Sequence, residues 1–159
     1  MITTYHKHEI SENYLDKWQQ LIDEMTKQFD VSAGLLMRVW PEHFEVLVAS
    51  RTEGNPYTPR EKANLNTGLY CETVMATQSI LQIPNALADE KWKNNPDLRF
   101  NMIMYMGMPL FWPDGNIFGT ICILDNKIRR FNEIYQKLMW QSKIAIESDF
   151  KNIVSDLEK

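Results

Sequence analysis

Residues 101–125 constrain the fold of this chain more than any other stretch. They read Asn-Met-Ile-Met-Tyr-Met-Gly-Met-Pro-Leu-Phe-Trp, then Pro113-Asp114-Gly115-Asn116, then Ile-Phe-Gly-Thr-Ile-Cys-Ile-Leu-Asp. Two runs rich in apolar, β-branched and aromatic residues on either side of a cluster of turn formers predict a β-hairpin. A hairpin with one wet face alternates polar and apolar residues. Here both parities are apolar, so both faces need a cover and the hairpin is expected at the centre of a sheet. Pairing Trp112 with Ile117 places Tyr105, Gly107, Pro109, Thr120 and Cys122 on one face. Met102, Met104, Met106 and Met108 then share the other with Gly119, Ile121 and Ile123.

The rest of the chain supplies the covers. Tyr14, Trp18, Leu21, Ile22, Met25 and Phe29 recur at three- and four-residue spacings, which predicts an amphipathic helix over about 9–29, with Ser11 as a candidate cap. Residues 33–40 and 44–50 read as two strands joined by the tight Pro41-Glu42-His43 link. Thr58-Pro59-Arg60-Glu61 has the form of a capping box with proline at the first helical position, so a short helix to about Leu65 is expected. Gly68 breaks the chain, and two or three helical turns follow it, with Cys71 in or near the first. Residues 79–83 form a short strand. Residues 85–100 are irregular, with turns capped by Asp89 and by Asn95 ahead of Pro96. Two short helical turns on a long connection suggest a lid. A helix over about 131–158 closes the chain. Within it Met139, Ile146, Phe150, Ile153 and Leu157 follow a seven-residue rhythm that Lys143 interrupts, and dimerisation through the terminal helices is expected from it.

Length and composition bound the function. A chain of 159 residues, 44% hydrophobic and 24% charged, fits one globular domain. Net charge is −4 with scattered basic residues, which gives no electrostatic footprint for nucleic acid or anionic membrane. No apolar run approaches the roughly 18 residues that a membrane span needs, and the polar start has no signal-peptide core. Two cysteines, Cys71 and Cys122, make neither a disulfide framework nor a zinc site, so a cytoplasmic setting is expected. His6 and His8 lack partners at metal-ligand spacing, and His43 reads as a turn residue, so no metal is assigned. No Ser-His-Asp set, phosphate loop or catalytic carboxylate pair is found, and no cofactor is identifiable.

The element order resembles a GAF domain over about Leu15 to Phe150. The residues carrying the likeness are Gly68-Leu69-Tyr70-Cys71-Glu72-Thr73-Val74, Ile83-Pro84-Asn85-Ala86-Leu87-Ala88-Asp89, Met108-Pro109-Leu110, Gly119-Thr120-Ile121-Cys122-Ile123-Leu124-Asp125 and Arg130-Phe131. They look most like GAF modules upstream of histidine kinases and diguanylate cyclases. The resemblance implies an α+β fold with a central antiparallel sheet of five to six strands. The terminal helices would cover one face, and a pocket roofed by short helices would lie on the other. It implies a single sensory domain (1–159), not an enzyme, that binds an unknown small molecule and relays it through the terminal helices. A kinase or cyclase effector in cis or trans, or a second copy, would be the partner.

Tyr70, Cys71, Val74, Asn85, Trp92, Tyr105, Gly107 and Thr120 are the expected ligand-binding residues, an apolar set with a few polar tips. The Tyr105 face is expected to look into the pocket and the methionine face to pack on the helices. Cys71 admits two readings: a thiolate favoured by the helix start but opposed by Glu72, or a small packing residue. The thiolate reading resembles free methionine-R-sulfoxide reductases, which are GAF-fold enzymes, although residues 85–100 lack the further cysteines those enzymes use. A third reading is a structural dimerisation module with a filled pocket. The Asn-Lys-Phe-Asp-Glu signature of cyclic-nucleotide GAF domains and the cysteine–histidine pair of bilin-binding ones are not found.

Overall fold

The computed structural model describes His6 and residues 8–158; what the sequence suggests for residues 1–5 and 7 lies outside them. Strands β1 (Ala33–Val39), β2 (His43–Ala49), β3 (Lys62–Asn64), β4 (Leu81–Ile83), β5 (Met104–Phe111) and β6 (Ile117–Asp125) form one sheet in the order β3-β2-β1-β6-β5-β4. All neighbouring pairs are antiparallel. Helices α1 (Glu12–Phe29) and α3 (Glu133–Leu157) cover one face. Helix α2 (Tyr70–Thr77) and the 3-10 turns Ala86–Ala88 and Pro96–Phe100 cover the other. Among the described residues no helix is long and apolar enough to cross a membrane.

The hairpin is central, as its pattern requires. Met106 pairs with Ile123, Met108 with Ile121 and Pro109 with Thr120, the register that a Trp112–Ile117 pairing implies for the body of the ladder. At the turn end a bulge intervenes, and Phe111 rather than Trp112 becomes the partner of Ile117. Phe118, the extra residue, packs 4.5 Å from Phe150, and Trp112 lies 5.1 Å from the same ring, so the bulge feeds the aromatic core under the helices. Met104, Met106 and Met108 face α1 and α3. Met102 does not join them; it lies before β5 begins and packs on the opposite side, with Tyr70 and Tyr105.

The apolar stripe of α1 buries Trp18, Ile22, Met25 and Phe29. Asp149 ties this helix to α3, accepting from Trp18 Nε1 at 2.8 Å and from Lys17 Nζ at 2.7 Å. Of the seven-residue rhythm of α3, Met139, Ile146 and Phe150 pack on the chain's own sheet, Ile153 is half-buried against the same core, and Leu157 is exposed. The interruption at Lys143 has its own cause. Strand β4 covers only residues 105–107 of β5, leaving Pro109 and Phe111 on an open edge. Lys143 Nζ donates to Pro109 O at 2.6 Å and to Glu147 at 2.7 Å, and Glu147 accepts from Phe111 N at 2.9 Å. Two side chains of α3 thus stand in for the missing strand, and Pro109 has no N–H to satisfy.

The helix expected after Thr58 is not formed. Arg60 takes a left-handed turn (φ 71°), and Lys62–Asn64 becomes an edge strand beside β2. Arg60 N bonds to Val46 O at 2.7 Å and Val46 N to Glu61 O at 2.9 Å, so long-range pairing overrides a local capping signal. His43 is likewise the first residue of β2, opposite Asn64, rather than part of the turn. Asn132 caps α3 by accepting from Ile134 N and Tyr135 N, so this helix starts at Glu133, slightly later than its pattern suggests. Asp125 caps the turn after β6, accepting from Asn126 N and Ser32 Oγ.

Candidate functional site

Alternation along the strands sends Leu35, Met37, Val46, Tyr105, Cys122 and Leu124 to the face opposite the terminal helices, where they meet α2 and the lid. A cavity of about 40 Å³ remains between them, room for roughly three waters. It is small because three rings fill the space beside it. Tyr70 stacks on Tyr105 at 4.8 Å, and Trp92 lies against Tyr70 at 5.3 Å. Tyr70 donates its hydroxyl to Met102 O at 2.8 Å, which fixes the stack. Burial pushes the Tyr70 pKa up to about 12.

Polar contacts between the lid and the chain around β3 span the mouth. Tyr57 donates to Asp97 Oδ1 at 2.7 Å, and Arg99 pairs with Glu61 at 3.4 Å. Asp97 is 8% exposed and also accepts from Tyr70 N at 3.4 Å. Burial raises its pKa, against the opposing hydrogen bonds from Tyr57 and Tyr70 and the charge of Arg99. Tyr57 is pushed far up by burial and by the Asp97 carboxylate.

The start of α2 does not activate Cys71. Gly68, at φ 88°, turns the chain so that Glu72 accepts from the backbone N–H of Asn66, Thr67, Gly68 and Leu69. Asp97 takes the N–H of Tyr70, so two carboxylates occupy the end where a thiolate would gain stabilisation. Burial, then Asp97, Cys122 and Glu72, push the Cys71 thiol well up, and burial does the same to Cys122.

Of the residues expected from the sequence, Cys71 and Tyr105 line the cavity. Tyr70, Val74 and Trp92 form the packed cluster beside it. Gly107 lies beneath the Tyr105 hydroxyl: a Cβ there would stand 2.2 Å from that oxygen. Thr120 is fully buried near Cys122. Asn85 is half-buried, and its side chain accepts from Leu87 N to cap a lid turn. The structure adds Tyr57, Glu61, Asp97 and Arg99 at the mouth. Asn95-Pro96-Asp97 signals a capped turn, which it forms, but nothing local signals that Asp97 faces a cavity.

Two hydroxyls are left over. Tyr105 Oη and Thr120 Oγ1 are buried and lack hydrogen-bond partners among the described residues. Both lie within reach of the Cys122 thiol, which offers only a weak partner to either. A buried unmatched hydroxyl costs about 1–3 kcal/mol, and such groups beside a cavity call for an explanation.

The GAF domain family model matches residues 15–142. The chain belongs to the GAF domain family. No curated protein sequence matches it. Among solved structures this GAF domain is similar to the GAF domain of a phosphoenolpyruvate-protein phosphotransferase from Coxiella burnetii, at 13% identity and TM-score 0.73, covering 94% of this chain and 89% of that one. It is also similar to free methionine-R-sulfoxide reductase from Neisseria meningitidis in complex with its substrate, at 13% identity and TM-score 0.69, covering 93% and 83%. The PixJ GAF domain of Thermosynechococcus elongatus, in its blue-light absorbing form, gives 14% identity and TM-score 0.65, covering 94% and 98%. At these identities the likeness concerns the fold.

Proposed function

We propose that this GAF domain is a non-catalytic cytoplasmic sensor that binds a small molecule under α2 and the 85–100 lid and relays binding through α1 and α3. The observation that carries the reading is the buried Tyr105 hydroxyl, unmatched among the described residues, on the wall of a cavity whose mouth the lid contacts span, with Thr120 Oγ1 likewise unmatched nearby on the same strand pair. A ligand that binds a rearranged lid better than this closed one shifts the population toward it. Strand β5 is the natural relay: Tyr105 faces the cavity, while Met104, Met106 and Met108 face the helices. The Lys143–Pro109 and Glu147–Phe111 contacts attach its edge to α3. A kinase- or cyclase-type effector in cis or trans, or a second copy, would read the outer face of α3, where Ile134, Trp140 and Ile144 are exposed.

A second reading, a reductase of free methionine sulfoxide, is favoured by one observation: Cys71 and Cys122 both line the cavity. Their raised pKa values oppose it, because the thiolate is the nucleophile. A thermal-shift screen of metabolites on the wild type and Cys71→Ser tests all readings. Saturable stabilisation that survives Cys71→Ser supports the sensor. NADPH-coupled turnover of free methionine sulfoxide, lost in Cys71→Ser, establishes the enzyme. No stabilisation across a broad set points to a structural module with a filled pocket.

A further inference from the structure

We infer that the cavity selects a compact ligand carrying a protonated amine, whose N–H groups meet the Asp97 carboxylate while its apolar body lies on Leu35, Met37 and Leu124. The inference rests on the ligand-pocket reading above and adds the chemistry of the ligand to it.

Asp97 is a buried carboxyl group on the wall of a mostly apolar cavity whose other charged lining residues, Glu61 and Arg99, pair with each other, and it has no ion-pair partner among the described residues. The neighbouring cation is engaged elsewhere. Arg99 pairs with Glu61, lies 4.5 Å from the Phe100 ring, and its side chain is 61% exposed, so its charge is directed to the surface. An ionised carboxylate offers about four acceptor sites. Asp97 uses sites for Tyr57 Oη and Tyr70 N, which leaves capacity toward the cavity. An ammonium group supplies both the missing charge and the missing donors, and charge-assisted bonds of this kind are the strong ones. A carboxylate ligand would instead meet two acidic groups, Asp97 and Glu61, and the one cation at this mouth, Arg99, already paired with Glu61. The unmatched Tyr105 hydroxyl, which can accept or donate, would orient a second polar atom of the ligand.

The test uses three fragments of nearly equal size, n-propylamine hydrochloride, n-propanol and sodium propionate, at constant ionic strength. Methyl NMR of the methionines reads the site: Met37 lines the cavity, and Met106, on the helix face, serves as control. The expected result is a saturable shift at Met37 with propylamine, about tenfold tighter than propanol, and none with propionate. Asp97→Asn, whose amide can still accept from Tyr57, should bring propylamine down to the propanol level. Glu61→Gln should leave the preference intact. A measurement on the wild type alone stands behind the variant. On acidification, amine affinity should fall as Asp97 takes up its proton, while propanol affinity stays level. Among the facing groups, Tyr57, Tyr70, Tyr105, Cys71 and Cys122 have raised pKa values and stay neutral; the remaining charged groups at the mouth are Glu61 and Arg99, paired with each other, so the same acid titration on Glu61→Gln assigns the fall to Asp97. Equal binding of propanol, preference for propionate, or an amine preference that survives Asp97→Asn overturns the inference while leaving the pocket reading standing. Absence of any Met37 response to all three fragments overturns both.

Discussion

The Tyr57 hydroxyl donates to Asp97 Oδ1 at 2.7 Å, and through this bond a loop that follows β2 holds the lid across the cavity mouth. Forty positions separate the two residues, so the bond is a tertiary latch and not a feature of either turn.

Tyr57→Phe removes the donor and leaves a buried carboxyl less satisfied. A hydrogen bond to a charged group is worth about 1.5–3 kcal/mol, and denaturant melts should register a loss in that range. Amide exchange should accelerate first in residues 85–100, because the latch acts on the lid. Uniform acceleration across the sheet would argue against this assignment.

Asp97→Asn reports the sign of the carboxyl's contribution. Its folded pKa lies above the unfolded value of about 3.9. Folding therefore favours the protonated form. That contribution is complete below the unfolded pKa and is lost as pH rises through the folded pKa. The wild type should lose stability relative to Asp97→Asn on going from acid to neutral pH. Denaturation midpoints of the two proteins across pH check this, and a wild type that gains on the variant as pH rises would contradict it.

Tyr105→Phe and Thr120→Val each delete a buried hydroxyl without a good partner. In a core selected for packing alone such changes would matter little; here stability should stay within about 1 kcal/mol of wild type, or rise. Ligand-induced stabilisation should weaken in the same variants. A large loss of stability in either would reveal a partner for that hydroxyl.

Lys143→Met should be costly in spite of its apolar surroundings. It leaves Pro109 O and one side of Glu147 without their donor, at about 2–3 kcal/mol. Ligand-dependent changes on α3, read by the fluorescence of Trp140, should weaken as well.

Gly119→Ala tests the closeness of β6 to β1. A Cβ at this position would stand 1.8 Å from Met37 O, a backbone atom that cannot swing aside. The expected outcome is failure to accumulate as folded protein, or a loss of more than about 4 kcal/mol. Near-normal stability would place the two strands further apart than this.

Much of the frame is legible in the sequence because its signals are local. The turn at Pro113–Asn116 and the flanking apolar runs define the central hairpin, and Asn95 ahead of Pro96 marks the lid turn. Strand β3 is not legible: its pairing is decided by the free edge of β2, and the residues before it mimic a helix start. The rhythm from Met139 to Phe150 is ambiguous for another reason. A seven-residue repeat over barely two heptads looks the same whether it faces a partner or the chain's own sheet, and only the packing of Met139, Ile146 and Phe150 against that sheet tells where these three point. The aromatic lining around Tyr70 and Tyr105 follows from residue type and strand parity. The Tyr57–Asp97 latch does not, since no periodicity links a loop tyrosine to a lid aspartate.

Strands β3 and β4, the two edges of the sheet, are three residues long, and Lys62 and Asn64 at one of them are exposed. Beyond β4 the border of β5 is occupied by Lys143 and Glu147. Neither border offers a run of free N–H and C=O groups long enough to template another strand. Among the described residues, growth by adding strand to strand therefore has little backbone to start from. The clamp that joins β5 to α3 doubles as a guard against fibre formation.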